Sequence, residues 1–182
     1  MVREIVYLGD PVLRKPCDPV TEVTEDVRAL ADDMIETMIA ADGVGLAAPQ
    51  VAVPIQLAVV DVRLDEEDAG LFKVDGKDAA YDDWMPLVFI NPNFELGEHK
   101  GLGTEGCLSI PDVRAEVNRP LSVRTKLQLI DGKEIEVEAD GLLARALQHE
   151  ADHLQGILFI DRLSAAAKLR ARRDIKRAKR DW

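Results

Sequence analysis

The stretch Ala146–Gly156, ALQHEADHLQG, contains two of the three histidines in this chain of 182 residues. His149 and His153 lie four residues apart, and the leucines around them predict an amphipathic helix. Positions four apart on a helix are separated by about 40° around its axis, so both imidazoles can reach one metal ion. Glu150 lies about 100° further round, where its carboxylate can act as a base without binding the ion.

A buried amphipathic helix with hydrogen-bonded histidines is the alternative interpretation of this stretch. The spacing His-Glu-x-x-His inside a leucine-rich helix favours a metal site. Tetrahedral hydrolytic centres usually take three protein ligands and leave the fourth position open. The pattern therefore predicts a third ligand elsewhere in the chain.

Cys107, in the run Gly103–Pro111 (GTEGCLSIP), is the stronger candidate for this third ligand. His99 is the other candidate, but its polar run GEHKG predicts a surface position. No histidine follows Gly156, as the metzincin proteases would require. An inert buried thiol is the alternative for Cys107, and it is the interpretation that we keep for Cys17.

Two long helices are predicted from the residues at their ends. Thr24, followed by two acidic residues, is typical of a helix start, and Gly43 of a helix end. Asp140 is predicted to cap the helix that carries the histidines, and Gly156 to close it. Apolar residues recur at helical spacing in both segments: Val27, Leu30, Met34, Ile35 and Met38 in the first, and Leu142, Leu143, Ala146, Leu147 and Leu154 in the second.

The segments between the helices predict strands. Ile55–Asp61 (IQLAVVD) and Pro86–Pro92 (PLVFINP) have the apolar character of buried strands, and Asp131-Gly132 joins two alternating runs as in a β-hairpin. The acidic residues 63–84 predict a surface loop or hairpin. The whole pattern predicts an α+β fold of mostly antiparallel strands, packed around a central helix that bears the His-Glu-x-x-His pattern.

Charge is distributed unevenly along the chain. Residues 162–182 contain nine Lys or Arg and two Asp, a local charge of +7, so the total of −11 leaves −18 on residues 1–161. This basic segment predicts a C-terminal helix, which is either an ordinary solvated helix or a surface for a polyanion. We expect one domain, with residues 1–161 as its catalytic part and residues 162–182 as a helical extension.

The sequence predicts a cytoplasmic protein with reduced thiols. The charged N-terminus lacks the apolar run of a signal peptide, and no stretch approaches the roughly 20 apolar residues of a membrane span. The two cysteines are therefore expected to be unpaired.

Three segments resemble, in order and content, the signature motifs of the peptide deformylase family: Gly43–Gln50 (GVGLAAPQ), Glu105–Ser109 (EGCLS) and Gln148–His153 (QHEADH). The long first helix, the hairpin and the basic C-terminal segment are also similar to this family, so the resemblance covers nearly the whole chain. It implies hydrolysis of the N-formyl group from the formyl-methionine of newly made polypeptides, with release of formate.

The resemblance assigns Cys107, His149 and His153 as ligands of one divalent ion. It implies ferrous iron as the native metal, with zinc, nickel or cobalt able to occupy the site. Glu105 and Asp152 are expected either to orient these ligands or to form ordinary ion pairs.

The same resemblance suggests roles in catalysis. Glu150 is expected to accept a proton from water and to deliver it to the departing nitrogen. The side-chain amide of Gln50 and the backbone N–H of Leu108 are expected to stabilise the charge on the formyl oxygen.

Substrate binding is expected around an apolar pocket for the methionine side chain, walled by Val44, Leu142, Arg145 and Ala146. The stem of Arg145 would line this pocket with its guanidinium in solvent, or Arg145 would lie on the exposed side of the helix. Gly45 is expected to contact the substrate through its main chain, and Arg114 to lie near the cleft.

The basic C-terminal segment resembles a ribosome-docking extension of the family, which implies binding of the ribosome through phosphate contacts. Two other functions are possible from the residues alone. One is a small zincin-type endopeptidase, and the other is a nucleic-acid- or ribosome-binding module with a structural metal.

Overall fold

The computed structural model describes residues 1–63 and 70–179. Nine strands are present in this part of the chain: β1 (Gly45–Ala47), β2 (Leu57–Val60), β3 (Phe72–Val74), β4 (Lys77–Asp78), β5 (Leu87–Leu96), β6 (Lys100–Cys107), β7 (Ile110–Pro120), β8 (Ser122–Leu129) and β9 (Glu134–Asp140). The α-helices are α1 (Glu25–Ala40), α2 (Tyr81–Trp84), α3 (Gly141–Leu154) and α4 (Ala165–Ala178), with short 3-10 turns at Pro11–Arg14, Ala48–Val51 and Phe159–Asp161.

Two antiparallel sheets organise these elements. The larger sheet has seven strands in the order β1-β2-β5-β8-β9-β3-β4, whereas β6 and β7 form a separate two-stranded sheet. The predicted α+β class with antiparallel strands is confirmed. None of the helices that the structure describes is long and apolar enough to cross a membrane.

Both faces of the large sheet are covered at strand β2. Ala58 and Val60 pack in the apolar cluster that includes α3, whereas Leu57 and Val59 pack in the cluster that includes α1. Successive side chains of a strand point to opposite faces, so α1 and α3 lie on opposite sides of β2. This explains why every residue of β2 is buried.

The predicted hairpin joins β8 to β9. Gly132 adopts a φ of 88°, a conformation that glycine reaches without strain, and its N–H donates to the carbonyl of Leu129. Thr125 pairs with Val137, and Leu127 with Ile135, so the two alternating runs bury the same face.

Asp140 occupies the N-cap position of α3 but does not cap it, so the prediction for its side chain was wrong. Its carboxylate accepts a hydrogen bond from the N–H of Leu71 instead. The pairing of β3 with β9 brings Leu71 close to Asp140, so the carboxylate bonds to Leu71 instead of capping the helix.

The acidic segment 63–84 includes a short hairpin, β3–β4, and the single turn α2. The predicted loop or hairpin is confirmed for residues 70–84, whereas residues 64–69 lie outside the described part of the chain.

Candidate metal centre

Three possible ligand atoms converge from two separate elements. Helix α3 presents His149 and His153 one turn apart, and Cys107 ends β6 at the turn of the β6–β7 hairpin. The two Nε2 atoms are 3.2 Å apart, and Cys107 Sγ lies 3.3 Å from His153 Nε2. All three ligand atoms lie within 4.8 Å of one another.

These separations suit one tetrahedral ion. Metal–nitrogen bonds of about 2.0–2.1 Å and a metal–sulfur bond of about 2.3 Å would separate ligand atoms by roughly 3.3–3.6 Å. The sulfur of Cys107 and the Nε2 atoms of the two histidines bring their lone pairs close together here. A cation between these atoms would bind all of the lone pairs. The residues present therefore fit a divalent metal ion, and this donor set is compatible with several transition metals.

The other sequence candidates for a ligand lie elsewhere. Cys17 is buried in the main core, where burial raises the pKa of its thiol to about 11, and both cysteines are free. His99 is exposed, as its polar surroundings predicted.

Glu105 holds His149 in position. Its carboxylate contacts His149 Nδ1 at 3.1 Å, so the opposite ring nitrogen faces the candidate metal position. Arg119 grips the same carboxylate with two nitrogens, at 2.6 and 3.0 Å. Burial would raise the pKa of Glu105, but the bonds from His149 and Arg119 lower it to about 2. Glu105 thus orients a candidate ligand and also forms an ion pair.

Asp152 extends this buried network. It accepts a hydrogen bond from Arg119 Nη1 at 2.8 Å, and Arg162 Nη2 reaches its other oxygen at 2.6 Å. Both Asp152 and Arg119 are buried. Neither Arg119 nor Arg162 was predicted to belong to the site, because no local pattern distinguishes them from the other arginines of the chain.

Glu150 lies beside the candidate ligands, and one oxygen of its carboxylate lacks a hydrogen-bond partner among the described residues. The residue is 3% exposed, and the oxygen in question is Oε2. Burial raises the pKa of this carboxyl group to about 7. Gly45 packs against it so closely that a Cβ at this position would overlap Glu150 Oε1. The glycine therefore leaves space for the carboxylate.

Gln50 is fixed by three contacts. Its Oε1 accepts from the N–H of Ala47 at 2.8 Å, and its Nε2 lies 3.2 Å from Ser109 Oγ and 3.5 Å from Cys107 Sγ. The amide thus points at the candidate metal centre, although Ser109 takes one of its hydrogens. The neighbouring Leu108 packs its side chain against Gly43.

A cavity of about 690 Å³ opens onto this centre. Every residue with a predicted catalytic, metal-binding or substrate-binding role lines it except His153, which is buried. The lining residues with predicted binding roles are Val44, Gly45, Arg114, Leu142, Arg145 and Ala146.

Arg145 lines the cavity, as one of the two expectations had it, but its guanidinium does not point into solvent. It donates to Glu105 Oε1 at 2.8 Å and to the carbonyl oxygens of Val117 at 3.1 Å and Gly101 at 3.3 Å. The carboxylate and the two carbonyl oxygens of the hairpin lie within reach of α3, so the guanidinium bonds to them in place of water.

The fold and these side chains define a metal-dependent hydrolase whose centre combines a His-Glu-x-x-His helix with a cysteine from a hairpin. The family model for polypeptide deformylase matches residues 2–169. The chain therefore belongs to the polypeptide deformylase family, as the three motifs predicted.

Individual relatives agree with this assignment. A peptide deformylase of Rhizobium meliloti (strain 1021) is 46% identical over 164 residues, which cover 90% of this chain and 86% of the relative. The crystal structure of a peptide deformylase from Legionella pneumophila is 37% identical, with a TM-score of 0.82 over 99% of this chain and 96% of that one. A peptide deformylase from Synechococcus elongatus, solved in complex with actinonin, is 38% identical, with a TM-score of 0.83 over 97% of this chain and 88% of that one.

Proposed function

We propose that this protein hydrolyses the N-formyl group from the N-terminal formyl-methionine of newly made polypeptides and releases formate. The observation that carries the proposal is the convergence of a thiol and two imidazoles beside the buried carboxyl group of Glu150, at the end of a cavity. Membership of the polypeptide deformylase family supports it.

Cys107, His149 and His153 would hold one divalent ion. Ferrous iron is our proposed native metal, and zinc, nickel or cobalt could occupy the same donor set. A bound ion of this kind supplies Lewis acidity, making hydroxide available near neutral pH and polarising the formyl carbonyl. Glu105 keeps His149 turned so that its Nε2 is free for the ion.

Glu150 would move the proton. Its carboxylate takes a proton from the attacking water and delivers it to the amine nitrogen as the formyl group leaves. A group does this best when its pKa lies near the working pH, and burial raises the pKa of Glu150 to about 7. Its position beside His149 on α3, with Oε2 unpartnered, leaves the carboxyl group available for this role.

Gln50 and Leu108 would stabilise the charge that grows on the formyl oxygen. Gln50 Nε2 lies 3.5 Å from the sulfur of Cys107, and Leu108 follows that cysteine in the chain and lines the cavity. Donation from the Gln50 amide and the Leu108 N–H would come from two separate parts of the chain, the 3-10 turn Ala48–Val51 and the turn between β6 and β7. Removal of one such donor typically slows catalysis by about 100- to 1,000-fold.

The cavity would bind the peptide through its side chain and its backbone. Val44, Leu142 and Ala146 form the apolar wall for methionine. Among the described strands β1 pairs only with β2, so the main chain of Gly45 lies at a free sheet edge where an extended peptide can add. Arg114 is exposed at the cavity, where its charge can meet the following part of the substrate.

We also propose that two parts of the chain have different roles. Residues 1–161 form the catalytic part around the His-Glu-x-x-His helix, with the long helix α1 beyond the sheet, and residues 162–182 form the extension. The extension would bind the ribosome in the cytoplasm, because α4 exposes several cations to which phosphates can bind: Arg170, Arg172, Arg173, Lys176 and Arg177.

Formate release from a formyl-Met-Ala-Ser peptide tests the catalytic proposal. Protein prepared without oxygen and loaded with ferrous iron should release formate, and actinonin should inhibit it. An acetyl-Met-Ala-Ser peptide serves as the control and should stay intact. Cleavage of internal peptide bonds without formate release would instead indicate an endopeptidase and contradict the proposal.

Sedimentation with ribosomes over a range of salt concentrations tests the extension. Replacing Arg170, Arg173 and Arg177 by Gln should weaken binding and flatten its salt dependence, while formate release from the short peptide stays unchanged. Substitution is a sharper test than deletion, because Ala171 of the same helix is 4% exposed and packs in the core. Equal affinities for the two proteins would refute the docking role.

A further inference from the structure

The candidate metal centre depends on how the β6–β7 hairpin sits against α3. The hairpin forms its own sheet, and no strand pairing that the structure describes joins it to the large sheet. Contacts between the hairpin and α3 therefore contribute to where Cys107 lies relative to the two histidines.

Arg145 makes the most extensive of these contacts from the helix side. Its guanidinium bonds to the carboxylate of Glu105 and to the carbonyl of Gly101, both in β6, and to the carbonyl of Val117 in β7. It also lies flat against Gly103, where a Cβ would be only 2.5 Å from Arg145 Cζ. One side chain of α3 thus holds both strands of the hairpin.

Arg119 makes the reciprocal contact from the hairpin side. It lies in β7 and donates to Asp152 of α3 as well as to Glu105. The two arginines therefore meet at one carboxylate, which is the group that orients His149. A displacement of Arg145 would move Glu105, and with it a metal ligand.

We propose that Arg145 is a positioning residue of the metal centre. By holding β6 and β7 against α3, it keeps the sulfur of Cys107 3.3 Å from His153 Nε2 while Glu105 steers His149. The planar fork of the guanidinium suits this task, because its Nη1 and Nη2 serve acceptors at separate positions, whereas the donors of an ammonium all lie on one nitrogen. The inference rests on the proposed metal site and assigns Arg145 a role beyond the wall of the methionine pocket.

Cobalt binding by the metal-free protein tests this role without any measurement of activity. The variants are R145Q and R145K, and R124Q is the matched control, because Arg124 forms an exposed ion pair with Glu136 on β8 and β9. Affinity is measured by competition with a chelator, and the absorption band of the cobalt–thiolate bond reports whether Cys107 binds. The titrations are run where circular dichroism shows all four proteins folded.

R145Q should bind cobalt about 10- to 100-fold more weakly, with an altered thiolate band, as for other residues that support metal ligands. R145K should fall between R145Q and the parent, and R124Q should match the parent. If R145Q does not fold without metal, the comparison of R145K with R124Q decides the question in the same way. Wild-type cobalt affinity in the R145 variants would overturn the proposal.

Two other roles for Arg145 give different results. A purely stabilising role would lower the melting temperature of the metal-free protein and leave the cobalt affinity and band unchanged. A pocket role would raise KM for formyl-Met relative to formyl-Leu peptides, again with unchanged metal affinity. Either result overturns the inference. The cobalt affinity, the thiolate band and the melting temperature can still be measured in a protein that releases no formate, where only the proposed reaction would have failed.

Discussion

Helix α3 and the β6–β7 hairpin bring ligand atoms to the same point by different physical means. On α3 the pitch of the helix sets the spacing of His149 and His153, whatever else the chain does. On the hairpin Cys107 has no such guide, and its place depends on the buried contacts of Arg145 and Arg119 with residues far away in sequence. The position of Cys107 should therefore be more sensitive to substitutions elsewhere in the chain than the spacing of the two histidines.

Substitution of Cys107, the candidate ligand on the hairpin, should give the largest effect on activity. C107A removes the thiol from the candidate metal centre, so we expect formate release to fall to the level of the metal-free protein. Metal content after dialysis and activity with added ferrous iron measure this. C17A is the matched control, because Cys17 is free and lies in the main core, and it should keep both properties. Substantial metal-dependent turnover by C107A would remove Cys107 from the ligand set.

A substitution on α3 should impair catalysis without loss of the metal ion. E150Q keeps the shape of the side chain but cannot accept the proton, so kcat should fall by about 100- to 10,000-fold. Metal analysis should show the same content as the parent protein, since Glu150 is not a predicted ligand. A variant with full kcat would show that another group carries the proton.

Loss of Arg119 tests how strongly the hairpin is held. R119M leaves the buried carboxylates of Glu105 and Asp152 short of a partner, which should lower the free energy of unfolding by about 3–5 kcal/mol. R162M is the matched control: Arg162 also bonds Asp152, but its side chain is 46% exposed, so its loss should cost about 0–1 kcal/mol. Urea denaturation of the metal-free proteins measures both, and equal losses would mean that burial of Arg119 adds nothing.

The smallest expected effect comes from a single methyl group. G103A places a Cβ where the guanidinium of Arg145 lies, so the contact must open by a small distance. We expect cobalt affinity to fall by up to about tenfold, the lower end of the range for residues that support ligands. G76A is the control, because a Cβ at Gly76 meets nothing within 4 Å, although its φ of 75° makes some loss of stability expected. Unchanged cobalt affinity in G103A would show that the hairpin tolerates this shift.

The sequence predicted those parts of the fold that follow from neighbouring residues. Thr24 accepts a hydrogen bond from the N–H of Val27 at the start of α1, and Gly132 turns between β8 and β9, as expected. Strands β6 and β7 were not predicted. Three glycines interrupt the pattern of β6, and the buried residues of β7 are not spaced in regular alternation. Asp140 shows the same limit, since a distant loop took the side chain that was expected to cap α3.

The sequence by itself determined the helix that carries His149, Glu150 and His153, because a regular backbone converts spacing in the chain into direction in space. It also marked Cys107 as a ligand candidate through its motif. Only the tertiary structure decided that Cys107 meets the histidines, that Arg119 and Arg145 share Glu105, and that Gly45 makes room for Glu150. These contacts join residues that are far apart in the chain, and their distances are set by strand register and packing, which no local pattern encodes.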